Sequence, residues 1–374
     1  MNTAADTALP PATGAWREGD PAGARRFARL GGGPLRPERG GELPSVTVAY
    51  ETWGRRAPDG SNAVLVLHAL TGDSHAAGAA GPGHPTPGWW DALIGPGRPL
   101  DTDRWFVVAP NVLGGCQGTT GPASAGPGGR AWGGAFPLLT PRDQVAAEAR
   151  LADALGIGRW AAVIGGSMGG MRALEWAVTH PARVGSLLLL ACTAAASAEQ
   201  IAWSDAQVRA IRGDPSWHGG HYHDAPPGGG PHTGLGLARR IAHITYRSEP
   251  ELAARFGRAG HDGRFDVQGY LDHHADKLVR RFDAASYVVL SDAMNAHDVG
   301  RERGGVAAAL RGVRADTLVA GVDSDRLYPL AQQAELARGI AGADRLRVIE
   351  SARGHDGFLA ETEQVGALVR ELLA

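Results

Sequence analysis

A serine, two aspartates and a histidine, met in that order along this chain of 374 residues, have the types and spacing needed for acyl transfer. Ser167 sits in Gly165, Gly166, Ser167, Met168, Gly169, a G-x-S-x-G pattern preceded by the apolar run 161–164 and followed by Met171, Leu174 and Val178 at helical spacing. A strand that turns this sharply into a helix holds the serine hydroxyl out above a sheet, and glycines two residues either side remove the Cβ atoms that would keep strand and helix apart. The backbone N–H of Met168 and the positive end of the new helix then face any oxyanion formed beside Ser167. A serine hydroxyl is a weak nucleophile by itself and needs a base within hydrogen-bond reach. His355 follows the last expected strand, 345–350, and Asp323 and Asp325 follow the strand before it, 316–322. The order Ser, Asp, His is that of α/β-hydrolases, with His355 as base and Asp325 as the group that fixes its tautomer. Asp323 competes with Asp325 for that role. Asp356 is poorly placed for it, because it would have to fold back onto its own neighbour's ring. This chemistry runs through a covalent acyl-serine with no metal and no bound cofactor, and either water or a substrate hydroxyl can be the acceptor.

Such a site needs a sheet to carry it. The runs 45–52, 62–69, 105–110, 161–164 and 184–191 read as strands, the last four as buried ones. Residues 142–155 form an amphipathic helix that leads into the serine turn, and 357–373 form a closing helix. Strands apolar on both faces and alternating with helices predict an α/β-hydrolase fold, a mostly parallel central sheet flanked by helices. The loop after 62–69 is where the second oxyanion donor belongs, which nominates the backbone N–H of Leu70. His68, at the end of that strand, reads as a histidine with a structural hydrogen bond. From 193 to 305 strand runs vanish and helices are expected over 198–212, 236–246, 267–281 and 285–296. We read this stretch as an inserted helical lid, with 21–192 and 306–374 as the core and 1–20 as a disordered, Pro-rich tail.

Composition narrows the alternatives. A formal net charge of −2 calls for neither nucleic acid nor an acidic membrane surface. No basic-then-apolar leader opens the sequence and no 18-residue apolar stretch occurs, so a cytoplasmic protein is expected. The two cysteines, Cys116 and Cys192, lie far apart and have no metal-ligand spacing. Cys116 in the glycine-rich loop 111–122 is a rival nucleophile, but no strand-turn-helix presents it. His218, His221 and His223 lie close together in the Gly/Pro/His-rich stretch 213–233, yet a flexible glycine loop favours solvent exposure over a metal site.

The motifs HALTGDSH (68–75), NVLGGCQGTTGP (111–122), GGSMGGMRALEWA (165–177), LARRIAHITYRS (237–248), DAMNAHDVGRERGG (292–305), VDSDRLYP (322–329) and GHDGFL (354–359) occur in this order. Together they resemble the homoserine O-acetyltransferase family, from about residue 53 to the C-terminus. The resemblance implies Ser167 as nucleophile, Asp325 and His355 as its partners, and Leu70 and Met168 as oxyanion donors. It further implies Arg239 binding the carboxylate of homoserine, with Tyr246 and Asp356 near the amino acid's polar groups. L-homoserine and acetyl-CoA would be the small-molecule substrates, acetyl-CoA a co-substrate and not a cofactor, the assembly a homodimer, and the pathway methionine biosynthesis. Related enzymes that use succinyl-CoA or serine, and serine esterases, are the alternatives.

Overall fold

Eight strands form one sheet in the computed structural model, which describes residues 8–374. In chain order they are β1 (Arg26–Arg29), β2 (Thr47–Trp53), β3 (Ala63–Leu67), β4 (Phe106–Pro110), β5 (Trp160–Gly166), β6 (Val184–Leu190), β7 (Asp316–Val322) and β8 (Ala343–Ile349). Across the sheet they run β1-β2-β4-β3-β5-β6-β7-β8. Only the pairings β1 with β2 and β2 with β4 are antiparallel. The central strands β3, β5 and β6 are buried over most or all of their length, since helices cover both faces.

Around the sheet and in the insertion lie α1 (Pro141–Ala154), α2 (Met168–Thr179), α3 (Ala198–Arg212), α4 (His232–Tyr246), α5 (Glu249–Phe256), α6 (Asp266–Val279), α7 (Ala284–Asn295), α8 (Val306–Arg311), α9 (Leu330–Gly339), α10 (Gly357–Ala360) and α11 (Thr362–Leu372). Thr140 caps α1, exchanging bonds with Asp143, and Pro141 occupies the first turn, where its missing N–H costs nothing. Between β6 and β7 no strand joins the sheet, and α3, α4, α6 and α7 fill the interval.

Register places the chemistry. Leu67 at the end of β3 pairs with Gly165 of β5, so 68–70 run alongside 166–168. Val322 of β7 pairs with Ile349 of β8, which brings the loops after both strands to the same edge.

The structure departs from the sequence reading in several places. Residues 1–7 of the expected tail lie outside the described residues, but residues 12–16 are packed against the fold. Ala12, Thr13 and Ala15 are buried, the Thr13 hydroxyl donates to Asp283 Oδ1 at 2.8 Å, and the Trp16 N–H donates to Cys116 O at 2.9 Å. These anchors are single bonds to distant residues, which a Pro-rich composition does not announce. Helix α4 begins at His232, earlier than the expected 236. Gly234 there is a packing device, since a Cβ on it would lie 2.5 Å from Ala210 O of α3. The closing helix is broken at Glu361 into α10 and α11. Strand β1 was not anticipated, being short and largely exposed at the sheet edge.

Candidate active site

Ser167 follows β5 directly and caps α2 with φ 55° and ψ −125°, a conformation an L-residue rarely adopts. The glycines around it are obligatory: a Cβ on Gly165 would lie 2.2 Å from Gly169 O, and one on Gly169 would lie 2.0 Å from Leu67 O. The strain is held by the buried strand and helix on either side, and its effect is to present Oγ to the loop after β8.

There His355 Nε2 lies 2.8 Å from Ser167 Oγ, and His355 Nδ1 lies 2.6 Å from Asp325 Oδ2. All three residues are buried. The other carboxylate oxygen of Asp325 accepts the N–H groups of Leu327 at 2.8 Å and Tyr328 at 2.9 Å, so the carboxylate cannot swing. Asp323 is exposed and its Oδ1 accepts the Ser351 N–H at 3.0 Å, which removes it from the competition. The His355 ring stacks on Tyr328 with centroids 4.9 Å apart and meets Phe358 edge-on at 5.4 Å. Burial opposes protonation of His355, but the charge of Asp325 and the hydrogen bond to it outweigh that and raise its pKa above the ordinary 6.5.

Leu70 and Met168 are both buried on the flanks of Ser167. Met168 is the first residue of α2, so its N–H has no intrahelical acceptor. His68 is not a base. Its Nε2 accepts the Val112 N–H at 3.0 Å, which leaves the proton on Nδ1 to donate to Ala69 O at 2.8 Å, and burial pushes its pKa down to about 3. Cys116 is buried and its thiol is pushed up to about 12, the reverse of what a nucleophilic cysteine needs.

Arg239 of α4 donates to Thr71 Oγ1 at 3.3 Å, stands 5.7 Å from the Tyr246 ring centroid, and has a buried Nε with no partner. Tyr246 lies 5.8 Å from the His355 ring, centroid to centroid. Asp356 is paired with Arg247 at 3.2 Å. Arg239 and Asp356 share a cavity of about 500 Å³ whose wall also carries Arg247, Lys277, Arg281 and Arg353. His243 and His274 line it as a stacked pair. Burial and Arg239 lower both pKa values, His274 to about 4 and His243 further, so neither adds charge at neutral pH. The cavity reaches Ala69 and Asp356, one residue short of Leu70 and His355, and does not include Ser167. A second hollow of about 40 Å³ adjoins Leu70, Met171, Tyr246 and Tyr328 and has no charged residue in its wall.

Of the three loop histidines, His218 and His221 are exposed as expected, whereas His223 is buried, because its Nε2 bonds Asp283 at 3.0 Å in the interior. Among the described residues, the one set with metal-ligand spacing is Glu51, His75 and His84. It does not fit an ion. The two rings stack at 3.8 Å and 10°, whereas a ligated ion must lie in the plane of both. His75 Nδ1 is bonded to Glu51 at 2.9 Å, and His84 Nε2 accepts the Ala24 N–H at 3.0 Å. Arg172 and Glu148, to which the sequence alone assigns no role, form a fully buried ion pair at 2.5 Å behind the serine turn. A charged residue on the apolar side of each helix was the available signal.

Comparison with known proteins bears on the fold and the family. A family model described as "alpha/beta hydrolase fold" matches residues 62–362. A homoserine O-acetyltransferase of Thermobifida fusca (strain YX) is 67% identical over 377 residues, covering 99% of each chain. Among solved structures, the homoserine O-acetyltransferase from Bacillus anthracis superposes with a TM-score of 0.84 at 27% identity, over 93% of this chain and 97% of that one. Esterase E22 superposes with a TM-score of 0.85 at 25% identity, over 94% and 99%.

Proposed function

The chain belongs to the α/β hydrolase fold family and within it to the homoserine O-acetyltransferases, enzymes that acetylate the hydroxyl of homoserine, and from that premise we propose a two-step transfer from acetyl-CoA through an acyl-serine at Ser167. The observation that carries the proposal is the unbroken run of Ser167, His355 and Asp325 at 2.8 and 2.6 Å. In the first half-reaction Ser167 Oγ attacks the thioester carbonyl while His355 Nε2 takes its proton. The tetrahedral oxyanion rests on the N–H groups of Leu70 and Met168, and collapse expels CoA, whose sulfur leaves with that proton. In the second, His355 takes the proton of the homoserine hydroxyl as its oxygen attacks the acyl-serine, and collapse returns the proton to Ser167. O-acetylhomoserine leaves, a product that fits methionine biosynthesis.

Arg239, with a donor left unpaired, suits the carboxylate of homoserine, and Asp356 suits its ammonium, although Arg247 already shares that carboxylate. The ring of arginines and Lys277 around the cavity suits the phosphates of CoA. The hollow beside Leu70, of about 40 Å³ and with no cationic residue in its wall, suits a methyl and offers a succinyl carboxylate no ion-pair partner, which supports acetyl over succinyl. Neither a metal nor a bound cofactor has a part in these steps.

Measuring CoA release from acetyl-CoA and from succinyl-CoA, each with homoserine, serine or no acceptor, tests the reading. Homoserine-dependent release from acetyl-CoA, abolished in Ser167→Ala, is the expected result. Acetate formed equally fast without homoserine would instead favour the esterase reading, to which the likeness to esterase E22 lends weight. The partners are small molecules, with no nucleic acid or membrane. Among the described residues no helix is long and apolar enough to cross a bilayer. We propose a cytoplasmic location, which suits an enzyme drawing on acetyl-CoA. We also propose a homodimer, because Ile201 and Trp203 of α3 and Leu237 and Ile244 of α4 are exposed on neighbouring helices. Light scattering giving a monomer mass would refute it.

A further inference from the structure

We propose that Arg172, held by Glu148, is a positioning residue for the oxyanion hole, a role that rests on the acyl-serine reading above. Arg172 lies on α2 five positions after the nucleophile and is wholly buried. One arm of its guanidinium donates to Glu148 Oε1 of α1 at 2.5 Å, and the other donates to the carbonyl of His68 at 2.7 Å. The second oxygen of Glu148 accepts the indole N–H of Trp176 at 2.7 Å, one turn further along α2. A buried ion pair contributes little to stability that an apolar pair of similar volume would not, so what this pair grips is the informative part.

It grips the chain that carries the first oxyanion donor. A peptide unit is planar and trans, so a C=O held at one end fixes the direction of the N–H at the other. Arg172 fixes the unit between His68 and Ala69. The next unit contains the Ala69 carbonyl and the Leu70 N–H, which point opposite ways. The Ala69 oxygen is held by His68 Nδ1–H at 2.8 Å and by the Gly72 N–H at 2.9 Å, so the Leu70 N–H is aimed away from both. The His68 ring can do this because the Val112 N–H at its Nε2 selects the tautomer. The second donor, Met168, opens the helix on which Arg172 sits. One guanidinium therefore ties together the two segments whose N–H groups must converge on one oxygen.

The test uses the full chain with Arg172→Met combined with Glu148→Leu, which replaces the buried pair by apolar side chains, and separately Arg172→Lys, which keeps the charge against Glu148 without the planar fork. Active sites are titrated by the burst of CoA released from acetyl-CoA. Per titrated site, kcat is expected to fall about 10- to 100-fold in the double variant, less in Arg172→Lys, with KM for acetyl-CoA and for homoserine within about twofold of the parent. Affinity for an alkylboronic acid, which forms a tetrahedral adduct on Ser167, should fall by a similar factor. A purely structural role would lower the melting temperature and the number of titrated sites while leaving kcat per site and boronate affinity untouched, and that result overturns the inference. Should the double variant not fold, Arg172→Lys decides by the same readouts. A parent enzyme that shows no burst overturns the acyl-serine reading and this inference with it; a parent that bursts beside variants that burst equally fast overturns this inference alone.

Discussion

Replacing Asp325 by Asn changes one oxygen for an NH2 group, and the contacts of Asp325 dictate which one. Its Oδ1 accepts two backbone N–H groups, at 2.8 and 2.9 Å, so the amide oxygen of the variant is pinned there and the NH2 turns to His355 Nδ1. An NH2 donates, so Nδ1 must carry the lone pair and the proton moves to Nε2, where it faces Ser167 and blocks the base. Restoring the useful tautomer means turning the amide and leaving two buried N–H groups facing a donor, at about 1–3 kcal/mol each. Adding the lost carboxylate charge under the imidazolium, about 5 kcal/mol in all, predicts a fall in acylation rate of about 10³- to 10⁴-fold. A second readout runs in a different direction. Acylation needs neutral His355, so its rate rises with pH through a pKa held above 6.5 by Asp325 against the effect of burial. In the variant burial is left largely unopposed, and the rising limb should move to lower pH even as the plateau drops. Rapid-quench measurement of CoA release from about pH 5 to about pH 9, with the acyl-enzyme followed by intact mass, reads both. A plateau within tenfold of the parent, or a limb displaced to higher pH, would refute the reasoning.

Arg239→Met removes the donor left unpaired in the cavity wall. We expect kcat/KM for homoserine to fall about 10- to 100-fold, the worth of one charge-assisted bond, with the burst from acetyl-CoA alone unchanged. Loss of the burst would place Arg239 in the donor half-reaction instead. Asp283 is wholly buried. Burial opposes its charge, but bonds from His223, Tyr222 and the Ser286 N–H outweigh that and hold its pKa at about 2, below the ordinary 3.8. A depressed carboxylate pKa stabilises the fold above pH 3.8 and that stability is lost as pH falls towards 2, here (3.8 − 2) × 1.36, or about 2 kcal/mol. Urea midpoints between about pH 5 and about pH 2 should therefore fall more steeply in the parent than in Asp283→Asn, and parallel slopes would contradict the assignment.

The amino-acid sequence by itself determined the serine turn, the strands that flank it and the order of nucleophile, acid and base. The turn and each strand are written in a window of about ten to twenty residues, where apolar periodicity and obligatory glycines such as Gly165 and Gly169 act on immediate neighbours, and the order of the three residues is read directly along the chain. It left open whether Asp323 or Asp325 orients His355, because two positions of spacing cannot say which carboxylate a neighbouring loop will claim. The pairing of β7 with β8 made that choice, by giving Asp323 the Ser351 N–H. It misjudged residues 12–16, whose anchors are single bonds to Asp283 and Cys116 far along the chain. It gave no role to Arg172, whose partners Glu148 and His68 lie on other elements. Contacts of that kind exist only after helix has packed on sheet, so the triad's parts were local information while their alignment, and the aim of the donors around them, belonged to the tertiary structure.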